Sequence, residues 1–83
     1  MQTNIIIDNQ EFTVTITPEA GMWYVELPDI LVKKYNLSVS FVIRNLNGVL
    51  DSQITSYGIH GLSLFEQLSD FIRNEPGNEI APL

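Results

Sequence analysis

The sequence predicts an α+β fold, an antiparallel sheet of about five strands ordered β-β-β-short α-β-β-α, with one C-terminal amphipathic helix packed on one face. Three observations predict it. The first half of the chain alternates apolar and polar residues with a period of two. An Asn47-Gly48 pair lies between two extended runs, and that dipeptide readily takes the positive φ values of a tight hairpin. Near the C-terminus the apolar spacing changes to that of an amphipathic helix.

Asn4 to Ile7 reads as a first strand, closed by Asp8-Asn9-Gln10, whose Asp and Asn tolerate positive φ. In the second strand Phe12, Val14 and Ile16 alternate with Glu11, Thr13, Thr15 and Thr17, and β-branched residues suit a half-buried pleat. Pro18 to Gly21 supplies the next turn. Met22 to Leu27 forms a third strand with Trp23, Val25 and Leu27 on one face and Met22, Tyr24 and Glu26 on the other. Pro28 ends it, since proline has no N–H for a continuing ladder. Asp29 to Tyr35 is expected to be a short helix, with Lys33 and Lys34 at its negative end and Asn36 as a left-handed cap.

Val39, Phe41 and Ile43 then alternate with Ser38, Ser40, Val42 and Arg44 in a fourth strand, and Val49 to Thr55 pairs back as a weaker fifth. Ser56 to Gly61 reads as a loop. Ser63-Leu64-Phe65-Glu66 has the form of a capping box, predicting the start of the long helix there. Leu64, Phe65, Leu68, Phe71 and Ile72 make its apolar stripe, and Asn74 to Gly77 stops it. Residues 1–75 are expected to form a single domain and 76–83 a flexible tail.

The 83 residues hold ten acids, four Lys and Arg and one His, a net charge of −6. A hydrophobic share of 45% is too high for a disordered acidic tail. The absence of cysteine excludes disulfide frameworks, thiolate metal sites and thiol nucleophiles. No run approaches the roughly 20 apolar residues of a membrane span, and nothing resembles a signal peptide, so a cytoplasmic location is expected. Excess negative charge argues against a nucleic-acid partner, which needs clustered Lys and Arg. The charge is uneven: residues 1–32 carry five acids and no base, while Lys33, Lys34 and Arg44 make a basic island.

Chemistry-bearing residues are sparse. His60, between Gly58 and Gly61, reads first as a turn histidine; its functional alternative is a general base beside a helix N-terminus. Glu66 and Asp70 fall on the wet face of the helix, and Asp51 suits a cross-strand ion pair with Arg44. No phosphate loop, dinucleotide fingerprint, zinc spacing or nucleophile elbow occurs, and no metal or other cofactor is expected. If the core-facing residues pack on the helix, the opposite sheet face holds Ile6, Thr13, Thr15, Met22, Tyr24, Ser40 and Val42. That nearly uncharged centre is the candidate interaction surface.

Two stretches resemble known families. Phe12 to Asp29, with its Thr-rich strand, Glu19-Ala20-Gly21 turn, Trp23-Tyr24-Val25 and closing Pro28-Asp29, resembles the opening strand pair of HicB-like antitoxins. The glycine-rich turn and helix of that family do not follow. Val25-Glu26-Leu27-Pro28 through Leu31, Tyr35-Asn36-Leu37 and Asn47-Gly48 resembles the swapped-hairpin DNA-binding fold of AbrB and MazE. The Gly-Asp after that family's helix and most of its basic residues are missing. Both resemblances imply a small regulatory protein that dimerises and binds a protein partner.

The sequence therefore leads to a small, acidic, non-catalytic interaction module, an inhibitor or antitoxin-like regulator covering a basic protein surface, and a homodimer. Its expected interaction residues are Ile6, Met22, Tyr24 and Val42, with Lys33, Lys34 and Arg44. A dimeric swapped-hairpin DNA-binding regulator is the alternative, which needs those three cations, drawn from two subunits, in one patch. A small enzyme using His60 and Asp51 is the third reading.

Overall fold

In the computed structural model, which describes residues 1–75 and leaves the tail expected over 76–83 outside the described residues, one five-stranded antiparallel sheet runs as a meander in the order β1-β2-β3-β4-β5. Its strands are β1 (Gln2–Ile7), β2 (Gln10–Glu19), β3 (Met22–Glu26), β4 (Ser40–Leu46) and β5 (Val49–Asp51). A short helix α1 (Asp29–Tyr35) links β3 to β4. A 3₁₀ turn (Gln53–Ser56) follows β5 and leads into α2 (Gly58–Asn74). The fold is α+β, as the sequence predicts. None of the described helices is long and apolar enough to cross a membrane.

Local chemistry sets the turns. Asp8 and Asn9 have φ of 52° and 64°, and Asn47 and Gly48 have 56° and 92°. Both pairs thus adopt the primed geometry that matches the twist of a two-residue hairpin. Asn36 takes φ 54° as the left-handed cap of α1, and the amide of Leu37 returns to the carbonyl of Val32. The long strand β2 changes partner along its length. Gln10 to Thr15 pairs with β1 and Thr15 to Glu19 with β3, a stagger that curls the sheet.

The core lies on one face. Ile5, Ile7, Phe12, Val14, Ile16, Trp23, Val25, Phe41 and Ile43 bury there with Leu31, Leu37 and Ile54. The stripe Leu64, Leu68 and Ile72 of α2 closes over them, all three with no exposed surface. Phe65 and Phe71 flank it, partly buried.

Four local expectations are corrected. Pro18 and Glu19 belong to β2, leaving only Ala20 and Gly21 in the turn, because Pro18 sits opposite Trp23. The fourth strand begins at Ser40, and Val39, expected in the core, is 55% exposed. The chain leaving Asn36 inserts Leu37 into the core instead, while Val39 holds Leu27 only through its backbone carbonyl. The fifth strand stops at Asp51, since the Ser52 hydroxyl caps the Ile54 amide and turns the chain to bury Ile54.

The last correction concerns α2, which starts at Gly58 and not at the capping box. Ser63 lies within the helix, where its hydroxyl accepts from the Gln67 amide. Gly61 is no turn residue either. A Cβ there would lie 2.2 Å from the Ile54 carbonyl oxygen, so glycine is what lets the helix approach the 3₁₀ turn.

Gln67 also guards the sheet edge. Its side-chain oxygen accepts the Ile6 N–H and its NH₂ donates to the Ile6 carbonyl, both at 2.8 Å. The amide thus imitates a strand residue paired with β1, covering backbone groups that could template a foreign strand. Gln67→Leu should remove both bonds and cost about 1 kcal/mol. Hydrogen exchange checks this directly: the Ile6 amide should lose protection while Ile5 and Ile7, bonded inward to β2, keep theirs.

Candidate interaction surface

The sheet face opposite the core is built by register. Cross-strand partners place Thr15, Glu26 and Ser40 in one row across β2, β3 and β4. Thr17, Tyr24 and Val42 form the next row. Glu19, Met22, Arg44 and Asp51 form a third that continues onto β5. Tyr24 is exposed and Met22 and Val42 are half-buried, so an apolar ridge runs between polar margins. The buried residues of α1 and α2 all join the core on the other side, leaving this ridge uncovered among the described residues.

Open grooves lie on both sides of the ridge. One, of 420 Å³, is lined by Met22, Val42, Arg44, Asp51, Ser52 and Gln53. The other, of 470 Å³, is lined by Thr17, Tyr24, Val25, Glu26, Val39 and Ser40. Arg44 and Asp51, opposite each other in the β4–β5 ladder, pair at 3.2 Å as expected. With both side chains half exposed, that pair adds little stability but neutralises its groove. Glu11, Glu19 and Glu26 have no ion-pair partner among the described residues.

Of the residues singled out in the sequence, Met22, Tyr24 and Val42 are brought together and Arg44 borders them. Ile6 shares the face but stands on β1, with β2 between it and the ridge. Lys33 and Lys34 stand apart. Lys34 reaches Gln10, the first residue of β2, at 2.6 Å, whereas Arg44 sits in the row of Glu19, the last residue of β2. Ten strand residues span roughly 30 Å. Within one chain the three cations therefore form no single patch, because α1 folds back over the start of β2 while Arg44 stands at its far end.

His60 lies in the first turn of α2 and packs against Tyr35 of α1, ring centroids 4.4 Å apart and planes inclined by 48°. Tyr35 donates its hydroxyl to Asp8 at 2.9 Å, and Lys34 Nζ lies 5.6 Å from its ring. Tyr35 thereby ties α1 to α2 and to the β1–β2 turn. Asp51 is engaged with Arg44 and lies in a groove that His60 does not line. No three His, Cys, Asp or Glu side chains converge to hold a metal ion among the described residues. Neither the Tyr35 cluster nor the exposed rim position of Val39 has a sequence signal, since each depends on contacts or bends set by the tertiary fold.

Desolvation of the half-buried phenol, together with the hydrogen bond and negative charge of Asp8, raises the Tyr35 pKa above 10.0. A raised folded-state pKa means the neutral phenol is favoured on folding. Its stabilising contribution is complete below pH 10 and is lost as the pH rises through the folded-state value. Thermal melts of wild type and Tyr35→Phe should differ below pH 10 and converge above it. A constant difference across that window overturns the assignment.

The comparisons with known proteins add no relative: no family model, no curated protein and no solved structure matches this chain.

Proposed function

We propose that this protein is a small, non-catalytic interaction module that binds a basic partner protein through the Met22, Tyr24 and Val42 ridge. The supporting observation is an uncovered apolar ridge flanked by Glu19 and Glu26, carboxylates with no ion-pair partner among the described residues. Apolar centres with polar rims are the general anatomy of protein interfaces, and tyrosine and methionine are enriched there. A second copy fits this face poorly. Two chains, each of net charge −6, repel one another as they approach. A heterologous partner with a basic surface resolves that repulsion, as an inhibitor or antitoxin-like regulator would require.

Affinity capture from the native host, followed by titration of the purified partner, tests the reading. The expected result is one basic partner whose affinity falls as salt rises. That partner should be lost on Tyr24→Ala and kept on Lys34→Ala, which lies away from the ridge. Salt-insensitive binding, or binding unchanged by Tyr24→Ala, overturns it.

A further inference from the structure

We propose that the groove between Tyr24 and Val39 is an arginine pocket, the anchor point for a guanidinium of the partner; this rests on the interaction reading above. The two grooves beside the ridge differ in charge. In one, Asp51 is already neutralised by Arg44 at 3.2 Å. In the other, Glu26 is the only charged lining residue and carries no ion pair among the described residues. The same groove is lined by the partly exposed Tyr24, by Thr17 and Ser40, which carry hydroxyls, and by Val39. Val39 is the apolar residue that the strand pattern would bury and that the bend after Leu37 instead holds at the rim, 55% exposed.

This combination selects a cation with a flat, weakly hydrated body. A guanidinium stacks on an aromatic face, lies against an aliphatic wall and donates a fork of N–H groups to a carboxylate. An ammonium satisfies the charge but not the stacking, and its strong hydration resists the apolar wall. The hydroxyls of Thr17 and Ser40 can accept the remaining guanidinium N–H groups. An isolated side chain binding at such an open site should have millimolar affinity; the rest of the interface supplies the strength.

The test is an amide chemical-shift titration of the full chain with Nα-acetyl-arginine amide, its lysine counterpart and the neutral citrulline counterpart. Arginine should shift Thr17, Tyr24, Glu26, Val39 and Ser40, lysine should bind more weakly and citrulline should not bind. Glu26→Gln, an exposed substitution, should weaken arginine binding about fivefold, the upper end for an open ion pair. Asp51→Asn should leave it unchanged. Shifts spread evenly over every carboxylate, or equal binding of lysine, overturn the arginine assignment. A partner that binds wild type and Glu26→Gln alike, yet is lost on Tyr24→Ala, overturns the pocket and leaves the interaction reading standing.

Discussion

Gly61→Ala should destabilise the protein by about 2–3 kcal/mol, although the same change in an open helix interior stabilises by roughly 1 kcal/mol. The added Cβ would stand 2.2 Å from the Ile54 carbonyl oxygen and 2.8 Å from the Tyr57 Cβ. Neither neighbour is the free end of a flexible side chain. Ile54 is fully buried, and its carbonyl also accepts the Tyr57 N–H at 3.1 Å. Relief therefore means moving the start of α2 off the 3₁₀ turn, breaking that bond and loosening the packing beneath it. Gly58→Ala is the comparison. Gly58 has φ +76° and nothing within 4 Å of a built Cβ, so only backbone strain of about 1 kcal/mol opposes it. Urea midpoints of the two variants should separate clearly; a Gly61→Ala protein as stable as wild type disproves the close approach.

Gly61 also shows where the fold was legible in the sequence and where it was not. Period-two alternation placed the inward faces of β2 and β3, because one side chain in two must bury on a one-sided sheet. The Asp8-Asn9 and Asn47-Gly48 pairs marked their hairpins because few residues tolerate positive φ. Glycine is ambiguous in a way these are not: it serves a turn and a close packing contact equally well, and Gly61 does the second. The Ser63-Glu66 spacing misled for a similar reason. A capping box is a local pattern, but Gly58 to Leu62 became helical through packing on the 3₁₀ turn, a contact no window of a few residues contains.

The outward face followed from the same alternation. Once Trp23, Val25, Phe41 and Ile43 point inward, Met22, Tyr24 and Val42 must point outward, and register sets them side by side. What alternation cannot supply is the position of elements off the sheet. Lys33, Lys34 and Arg44 are close in sequence, yet the return of α1 over the start of β2 separates them. Glu26 was legible as an outward acid, but its groove depends on Val39, which the pattern assigned to the core.

Opposite faces of this sheet should answer truncation in opposite ways, and this gives the largest stability effect expected. Leu68→Ala should cost about 3–5 kcal/mol, because the side chain is fully buried and close packing prevents the site from collapsing around the cavity. Leu62→Ala, on the same helix but 45% exposed, should cost under about 0.5 kcal/mol. Tyr24→Ala, 40% exposed on the far face, should cost no more than about 1 kcal/mol of stability. Under the proposed function its effect belongs to binding, where removing a central tyrosine should weaken affinity by about 2 kcal/mol or roughly thirtyfold. Denaturation midpoints and partner titrations on the same variants separate the two. A Tyr24→Ala protein that loses several kcal/mol of stability would make the ridge part of the folding core, and the apolar surface would then need no partner.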